Sequence, residues 1–190
     1  MFEGYNQGMA DELLDVVDDE DNVIGRELRD AVHQRGFWHR GAHVFLFDAD
    51  GRMLVQKRSA NRDNSPSLLD CSVSEHVKAG ETYLEAAIRG MKEEMGVEGI
   101  EIERLAKFRM NYGVNDNEIS ELYTGMVNPM DVRFDPVEIA SVSYAGVDEL
   151  KKLMTDEPET LCGWFVELLD LYFNGKGKMR ILFQRGENAW

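Results

Sequence analysis

Cysteine and long apolar runs are both scarce in this sequence. The two cysteines, Cys71 and Cys162, are too few for a disulfide framework, so we expect a reduced, cytoplasmic setting. No apolar run approaches the roughly 20 residues that cross a bilayer. The stretch MFEGYNQGMADELLD lacks the basic-then-apolar pattern of a signal peptide. We therefore expect no signal peptide and no membrane partner.

Positive charge is scarce as well. Lys and Arg number 21 against 36 Asp and Glu, which gives a net charge of −15. Such a surface repels nucleic-acid phosphates, so we exclude nucleic acid as a general partner. A small phosphorylated ligand stays open, because a local basic cluster or a bound metal ion reverses the field inside one pocket. Oligomeric state is not fixed by these features, and a homodimer remains an open alternative.

The apolar patterning predicts one mixed domain. With 190 residues and 43% apolar content, the chain can bury a sizeable core. We expect residues 1–12 to form a flexible N-terminal segment and residues 13–190 to form a single domain. Strands and helices are mixed without strict βαβ alternation, which favours an α+β class.

Local signals place the main elements. Strands are predicted in LLDVVDDEDNVIGREL (a pair), LLDCSVSEHV, IERLAKFRMNY, EISELYTGMV and EIASVSYAGV, and helices in RDAVHQRGFW, DELKKLM and ETLCGWFVELLDLYF. GAHVFLFDADGRMLVQKRS reads as a hairpin, because Asp48–Gly51 is a strong turn signal between two apolar runs. The tail NGKGKMRILFQRGENAW is ambiguous.

A helix is also predicted from Thr82 to Met95, ended by Gly96. Its apolar stripe contains Leu84, Ala87, Ile88, Met91 and Met95. On a helical wheel Glu93, Gly90 and Glu94 share one sector beside that stripe. Two carboxylates held there suit a hard ion such as Mg²⁺, with Arg89 orienting one of them. On spacing alone, however, an acidic surface helix is the simpler interpretation.

The surrounding residues resemble the Nudix box, which runs glycine, glutamate, Arg-Glu, an aliphatic residue, Glu-Glu, glycine and an aliphatic residue in fixed register. The matches are Glu81, Arg89, Met91, Glu93, Glu94, Gly96 and Val97. Glu75 stands at the first glycine and Gly90 at the glutamate after the arginine. The resemblance implies a Nudix fold, with a mixed central sheet between helices and the box as loop–helix–loop. In many members the glutamate that Gly90 replaces binds metal or acts as base.

Over residues 13–173 the chain looks like the branch that contains isopentenyl-diphosphate isomerase and its hydrolase-type relatives. Isomerases surround one metal with three histidines and two acids, and this resemblance implies His33, His39, His76, Asp116 and Glu118 as the ligands. Such a mixed set suits Mn²⁺ or Zn²⁺, a second transition metal beside the Mg²⁺ or Mn²⁺ of the box. Asp116 and Glu118 should face the same side of a strand. The fourth histidine, His43, has no matching role, so we expect it to be structural.

The same resemblance implies the substrate side of the site. Arg29, Arg58 and Arg62 lie where isomerases hold a diphosphate, a task that suits forked guanidinium groups. Trp164 matches an active-site aromatic residue, although an ordinary core tryptophan is an equal alternative. A further basic position of the isomerases falls on Gly90 and is absent.

Ser74 stands where the isomerase has its catalytic cysteine. Cys71, three residues earlier on a predicted strand, should face the opposite way. A hydroxyl is a poorer acid and base than a thiol for allylic proton transfer, so Ser74 argues against isomerisation.

We therefore predict a metal-dependent Nudix hydrolase that cleaves a diphosphate linkage in a small nucleoside or other organic diphosphate. The candidate catalytic residues are Glu93, Glu94, Glu118 and Ser74, and Asp116 or Glu121 could add a ligand or a base. Isopentenyl-diphosphate Delta-isomerase is the first alternative. A non-catalytic diphosphate sensor is the second, because both departures from the box are compatible with binding without turnover.

Overall fold

The computed structural model describes residues 12–62, 64–175 and 177–185. Within these ranges ten strands and four α-helices form. The strands are β1 (Leu13–Val17), β2 (Val23–Leu28), β3 (Trp38–Phe47), β4 (Met53–Arg58), β5 (Leu69–Asp70), β6 (Val73–His76), β7 (Ile102–Gly113), β8 (Asp116–Met126), β9 (Ile139–Ala145) and β10 (Arg180–Gln184). The helices are α1 (Arg29–Arg35), α2 (Tyr83–Met95), α3 (Val147–Asp156) and α4 (Gly163–Asn174). Among these described residues, no helix combines the length and apolar character needed to cross a membrane.

The central sheet has eight strands and mixed polarity. Its main path runs β10-β7-β8-β3-β4-β5, with β6 added on β3 and β9 on β4. Strands β3 and β8 run parallel over their whole length, whereas the other paired strands run antiparallel. Alternate residues of β3 therefore project to opposite faces of a sheet that is covered on both sides.

Two separate apolar cores cover those faces. Phe45 and Phe108 pack with Phe165 of α4 and Leu150 of α3 on one side. Val44 and Leu46 pack on the other side with a group from α2 that includes Met91. The sheet thus lies between helices, which confirms the predicted α+β class and the mixed sheet sandwiched by helices.

The β1–β2 pair forms a separate two-stranded sheet, as predicted. Asp21, at its turn, fastens it to the central sheet by accepting hydrogen bonds from Arg40 Nε at 2.6 Å and Lys107 Nζ at 2.5 Å. The Tyr83 hydroxyl donates to the same carboxylate at 3.1 Å. Since the two cations are mostly buried, this carboxylate supplies their local counter-charge.

The predicted turn at Asp48–Gly51 is confirmed, but the hairpin that it was expected to close is short. Asp48 caps the turn by accepting from the backbone nitrogens of Asp50 and Arg52, each at 2.9 Å. Strands β3 and β4 then pair only at Phe47–Met53, because β4 turns away to pair with β9 and β5. This separation frees the start of β3 to pair with β6 and β8.

Helix α2 begins and ends as predicted. Thr82 and Glu85 form a reciprocal capping box, and Gly96 ends the helix with φ of 63°, a left-handed conformation that glycine adopts without strain. The predicted apolar face is confirmed at Ala87, Met91 and Met95 but wrong at Leu84 and Ile88, which are exposed. Gly90 and Glu94 are buried in addition. The helix is rotated so that Gly90 faces strand β6, which places Glu94 in the middle of the buried face.

The remaining predicted elements have mixed outcomes. Of the two possibilities for RDAVHQRGFW, a short helix or a loop, the structure forms the helix α1 over Arg29–Arg35. The helices predicted at DELKKLM and in the apolar C-terminal stretch are confirmed as α3 and α4, and the ambiguous tail contains β10. The single strand predicted in LLDCSVSEHV is divided into β5 and β6. Residues 1–11 of the predicted flexible segment lie outside the described residues. Glu12, the last residue of that predicted segment, is partly buried, and its carbonyl accepts from the Arg29 backbone nitrogen at 2.8 Å.

Candidate active site

Three of the four histidines meet although they come from separate elements. His33 lies on α1, His39 at the start of β3 and His76 at the end of β6. The ring centroids are 4.8 Å apart for His33 and His39, and 5.2 Å apart for each pair that includes His76. The structure therefore brings together the trio that the isomerase resemblance implied.

The two predicted acids join this trio. Strand β8 runs parallel to β3 in a register that sets Glu118 beside His39. His39 Nε2 lies 3.6 Å from Glu118 Oε1, and His33 Nδ1 lies 3.6 Å from Asp116 Oδ1. In two groups, His33 with His39 and His76, and His39 with Asp116 and Glu118, one ligand atom per residue lies within 4.8 Å of the others. Asp116 and Glu118 thus face one side, as the period of a strand requires.

The unpaired atoms of this cluster fit a divalent cation. The His39 Nδ1–H donates to the Phe37 carbonyl at 3.1 Å, because a carbonyl can only accept. That bond leaves a lone pair on Nε2, which is buried and without a hydrogen-bond partner, as are His33 Nε2 and Asp116 Oδ1. Imidazole held through Nδ1–H and presenting Nε2 is the usual arrangement of a metal-binding histidine.

Burial also sets the protonation of this cluster. It lowers the pKa of His39 to about 4, since burial disfavours the imidazolium. It raises the pKa of Glu118 to about 8, with a further increase from Asp116. A neutral imidazole offers its lone pair near neutral pH. The Glu118 carboxyl exchanges its proton in the same range.

Arg89 organises the carboxylates around α2. Its Nε donates to Glu81 at 2.9 Å, and its Nη1 donates to Glu75 at 2.9 Å and to Glu93 at 3.1 Å. Its Nη2 donates to the His76 carbonyl at 2.9 Å, which ties the box to the histidine trio. One guanidinium thus contacts three carboxylates and neutralises only one of them.

The two glutamates of the Glu93–Glu94 pair have different surroundings. The Glu93 side chain is 53% exposed and reaches the cavity, whereas Glu94 is 6% exposed and accepts from Gln56 Nε2 at 2.7 Å. Burial raises the pKa of Glu94 well above its ordinary value, and the charge of Glu75 raises it further. A neutral amide does not offset that charge, so the acidic surplus around the box fits a hard divalent ion.

One cavity of about 190 Å³ joins these groups. Its wall contains carboxylates (Glu12, Glu75, Glu93, Asp116, Glu118, Glu138), cations (Arg29, Arg58, Arg62, Lys78, Arg89), histidines (His33, His43, His76), and Asn64, Ser74, Tyr112 and Trp164. Carboxylates outnumber cationic side chains by one. The cationic side chains alone therefore do not offset both the carboxylates and a diphosphate.

The three predicted diphosphate-binding arginines all lie in this wall. Arg58 Nη1 donates to buried Asp70 at 3.1 Å, and its guanidinium lies 5.3 Å from the centre of the Trp164 ring. The Trp164 indole donates to the same carboxylate at 2.7 Å, so Asp70 positions both side chains. Arg62 pairs with Glu138 at 2.9 Å. Arg29 Nε lies 3.4 Å from His76 Nδ1, on the histidine side of the cavity.

Ser74 lies in the cavity wall, whereas Cys71 is fully buried in the core that faces α3 and α4. The expected opposite orientation of these two side chains is wrong. The predicted strand is interrupted between β5 and β6, and Ser74 pairs with His43 on the face of β3 that also carries Phe45 and the core containing Cys71. His43, which we expected to be structural, also reaches the cavity, and its Nδ1 lies 3.0 Å from Ser74 Oγ. The missed signal is the period of two on β3, since His39 and His43 are four residues apart on one face.

Glu121 is the predicted residue that the fold separates from the site. It is three positions from Glu118 on β8, and its carboxylate accepts from Arg104 at 2.9 Å and from the Tyr123 hydroxyl at 2.5 Å. An odd spacing on a strand puts Glu121 on the opposite face of β8 from Glu118, so it is not a ligand or base of this site. Sequence reasoning also missed Glu12, whose carboxylate lies 3.8 Å from His76 Nδ1.

The protein therefore has a mixed β-sheet between two layers of helices, and a cluster of histidines and carboxylates of the kind that binds metal lies beside its cavity. A family model described as the NUDIX domain matches residues 37–165, and the chain belongs to that family. It is 32% identical over 163 residues to an isopentenyl-diphosphate Delta-isomerase of Serratia proteamaculans, covering 84% of this chain and 90% of the relative. It is 38% identical over 125 residues to an uncharacterised Nudix hydrolase of Streptomyces coelicolor, covering 63% and 69%.

The solved structures agree on the fold. A crystal structure of a Deinococcus radiodurans protein is similar, with a TM-score of 0.73 and 27% identity, covering 85% of this chain and 99% of the other. A MutT protein of Methanosarcina mazei has a TM-score of 0.56 at 19% identity, covering 71% and 94%, which is a likeness of fold alone. The relatives support an enzyme, and their names divide between hydrolase and isomerase.

Proposed function

We propose that this protein is a metal-dependent hydrolase of a diphosphate linkage in a small organic diphosphate. The observation that carries the proposal is one cavity whose wall combines Arg29, Arg58 and Arg62 with Glu93 of the box and with four members of the histidine cluster, which are His33, His76, Asp116 and Glu118. Guanidinium groups bind phosphate oxygens in a forked arrangement, and the surplus of carboxylates calls for a cation beside them. The arginines would therefore bind the phosphate oxygens of a diphosphate, and the carboxylates and histidines would bind the cation that accompanies it.

Each group has a defined task in this proposal. The arginines hold the diphosphate, and Asp70 keeps Arg58 and Trp164 in place. Glu93 and Glu94 would hold Mg²⁺ or Mn²⁺, and the histidines with Asp116 and Glu118 would hold a transition metal such as Mn²⁺ or Zn²⁺. Bound metal supplies charge neutralisation at phosphate and lowers the pKa of water.

The chemical step is a transfer of one phosphoryl group to water. The water oxygen forms a bond to phosphorus, the bridging P–O bond breaks, and the two products carry the two phosphate groups. Glu118 is our candidate acceptor for the water proton, because its carboxyl lines the cavity beside the histidine cluster and a cation bound there would keep it ionised. His43 lies between Ser74 and Glu118, with Nδ1 3.0 Å from Ser74 Oγ and Nε2 3.9 Å from Glu118 Oε2. We therefore assign Ser74 to positioning of substrate or water.

Isomerisation is the second candidate, favoured by the histidine–acid cluster and by the isomerase relative. Against it, neither cysteine lines the cavity in the described part of the chain, and Ser74 occupies the place of the expected thiol. A hydroxyl is too weak an acid for efficient proton transfer to an allylic carbon. A diphosphate sensor without turnover is the third candidate.

One panel of assays separates the three. Purified protein with Mg²⁺ or Mn²⁺ is given nucleoside, dinucleotide and prenyl diphosphates, and release of phosphate or monophosphate is measured together with formation of dimethylallyl diphosphate. We expect hydrolysis that falls at least about 100-fold in Glu118→Gln, since general-base catalysis contributes that much. The control is Glu98→Gln, because Glu98 is exposed and forms a surface ion pair with Lys92.

The opposing results are equally clear. Dimethylallyl diphosphate formation by the unmodified protein would establish isomerisation, and formation by Ser74→Cys alone would locate the difference at that residue. Binding of several diphosphates without turnover would favour the sensor. We also place the protein in the cytoplasm, where its two free, buried cysteines would stay reduced.

A further inference from the structure

The two departures from the Nudix box are in direct contact. A side-chain Cβ placed at Gly90 would lie 2.5 Å from Glu75 Cγ and 2.6 Å from Val73 Cγ1. Both distances are shorter than carbon atoms tolerate, so a glutamate at position 90 cannot coexist with the present Glu75 side chain. The usual pattern has glycine at position 75 and glutamate at position 90. This chain has the reverse, and the two changes fit together in space.

The Glu75 carboxylate lies among the groups that the box already provides. It accepts from Arg89 Nη1 at 2.9 Å, and Glu93 accepts from the same nitrogen at 3.1 Å. It also lines the cavity, so its charge faces the proposed substrate. The Glu75 side chain thus lies against Gly90 and presents its carboxylate to the cavity.

Pairing with Arg89 alone does not account for Glu75. Arg89 already has Glu81 at 2.9 and 3.1 Å, and Glu93 as a further acceptor. A glycine at position 75 would leave that guanidinium fully paired, whereas Glu75 adds a negative charge that no further cation of the box offsets. Burying a surplus carboxylate is costly unless a cation is bound nearby.

We propose that Glu75 supplies the carboxylate that Gly90 lacks, so that Glu75, Glu93 and Glu94 together bind the divalent ion of the box. This inference deepens the proposed hydrolase, and metal binding is measured apart from turnover. Arg89 Nη1 bridges the Glu75 and Glu93 oxygens and holds both beside the cavity.

The test is Mn²⁺ binding by the full chain, followed by the loss of the EPR signal of free Mn²⁺. One equivalent of Zn²⁺ is added first to occupy the histidine cluster, which it prefers to an all-oxygen site. Glu75→Gln keeps the size of the side chain and removes its charge, and we expect the Kd for Mn²⁺ to rise about ten-fold or more. Glu98→Gln is the control, and its Kd should equal that of the unmodified protein.

A swap tests the geometry. Gly90→Glu alone should lower Tm, because its side chain meets Glu75 and Val73. Glu75→Gly alone should weaken Mn²⁺ binding. The double variant Glu75→Gly/Gly90→Glu restores the usual pattern. It should bind Mn²⁺ more tightly than Glu75→Gly, and its Tm should exceed that of Gly90→Glu while staying below that of the unmodified protein, because the contact with Val73 persists.

Three results would overturn the inference: an unchanged Kd in Glu75→Gln, a double variant that binds as weakly as Glu75→Gly, or no Mn²⁺ bound by the Zn²⁺-loaded protein. The proposed function fails separately. Mn²⁺ binding that depends on Glu75, with no hydrolysis of any diphosphate tested, would reject the hydrolase and keep the ligand. Hydrolysis with an unchanged Kd in Glu75→Gln would reject only the ligand.

Discussion

A single methyl group at Gly41 should disable the histidine cluster. Gly41 lies on β3, two residues after His39, and a Cβ there would come 2.2 Å from Glu118 Oε2 and 2.9 Å from Ser120 Oγ. Ser120 Oγ now donates to that same Glu118 oxygen at 2.9 Å. Gly41→Ala must therefore displace the Glu118 carboxylate, which is flexible, before it disturbs the strand.

Gly41→Ala should affect both the free energy of unfolding and the affinity for Zn²⁺. Over-packing of a buried site costs about 1–3 kcal/mol, and the lower end applies because the clashing atom is the far end of a side chain. For a chain of this size that corresponds to a fall in Tm of roughly 2–4 °C. The larger effect should be on metal binding, since Glu118 Oε1 now lies 3.6 Å from His39 Nε2 and 3.8 Å from His76 Nε2. Losing that oxygen should weaken Zn²⁺ binding by about 10–100-fold.

The assay is competition for Zn²⁺ against a coloured chelator, with Tm measured with and without Zn²⁺. Gly25→Ala is the matched control, because it also places a methyl group on a strand, and its nearest neighbour would be Val16 Cβ at 4.0 Å. The control should bind Zn²⁺ like the unmodified protein. If Gly41→Ala bound Zn²⁺ with unchanged affinity, Glu118 would not be a ligand and the assignment of the cluster would be refuted.

Three further predictions concern stability and binding. Asp21→Asn keeps the left-handed backbone that asparagine tolerates. It removes the counter-charge of Arg40 and leaves Lys107 with Glu121 at 3.7 Å, so urea unfolding should show a loss of about 2–4 kcal/mol. A loss below about 0.5 kcal/mol would contradict this. Burial lowers the pKa of His43 to about 4, whereas in the unfolded chain this histidine binds a proton near pH 6.5. The free energy of unfolding should therefore fall as the pH falls from 6.5 to 4. His43→Asn should remove this contribution. The free energy of unfolding of the variant, compared with that of the unmodified protein, should therefore change by about 1.4 kcal/mol per pH unit between pH 6.5 and 4. A difference that does not vary with pH would show that His43 is not buried in its neutral form. Arg62→Gln should raise the KM for a diphosphate about ten-fold with kcat nearly unchanged, as expected when uniform phosphate binding is lost, whereas an equal fall of kcat and kcat/KM would assign Arg62 to the transition state.

Local structure was largely readable from the sequence because short-range chemistry decides it. Thr82 and Gly96 mark the ends of α2 through a capping box and a left-handed glycine, and Asp48–Gly51 forms its turn from its own side chain. These contacts join residues a few positions apart. The order of elements along the chain was predicted on that basis.

The features that the sequence did not predict correctly depend on contacts between residues far apart in the chain. The buried face of α2 was misjudged because Gly90, which carries no side chain, allows close approach of Val73 and Glu75 and turns Glu94 inward. The hairpin after β3 was overestimated because β4 gains more pairing from β9 than from its neighbour in sequence. Apolar periodicity carries no information about which distant strand offers the better partner.

The family resemblance, the two departures from the box, and the types of residue that could bind metal and phosphate are readable in the sequence. Which of these residues meet depends on long-range packing, since the register of β3 with β8 brings Glu118 to His39 and leaves Glu121 on the other face. Tertiary packing also brings Glu75 against Gly90. Two residues 15 positions apart in sequence exclude each other only when β6 packs against α2, and the space that Gly90 leaves empty is the space that Glu75 fills.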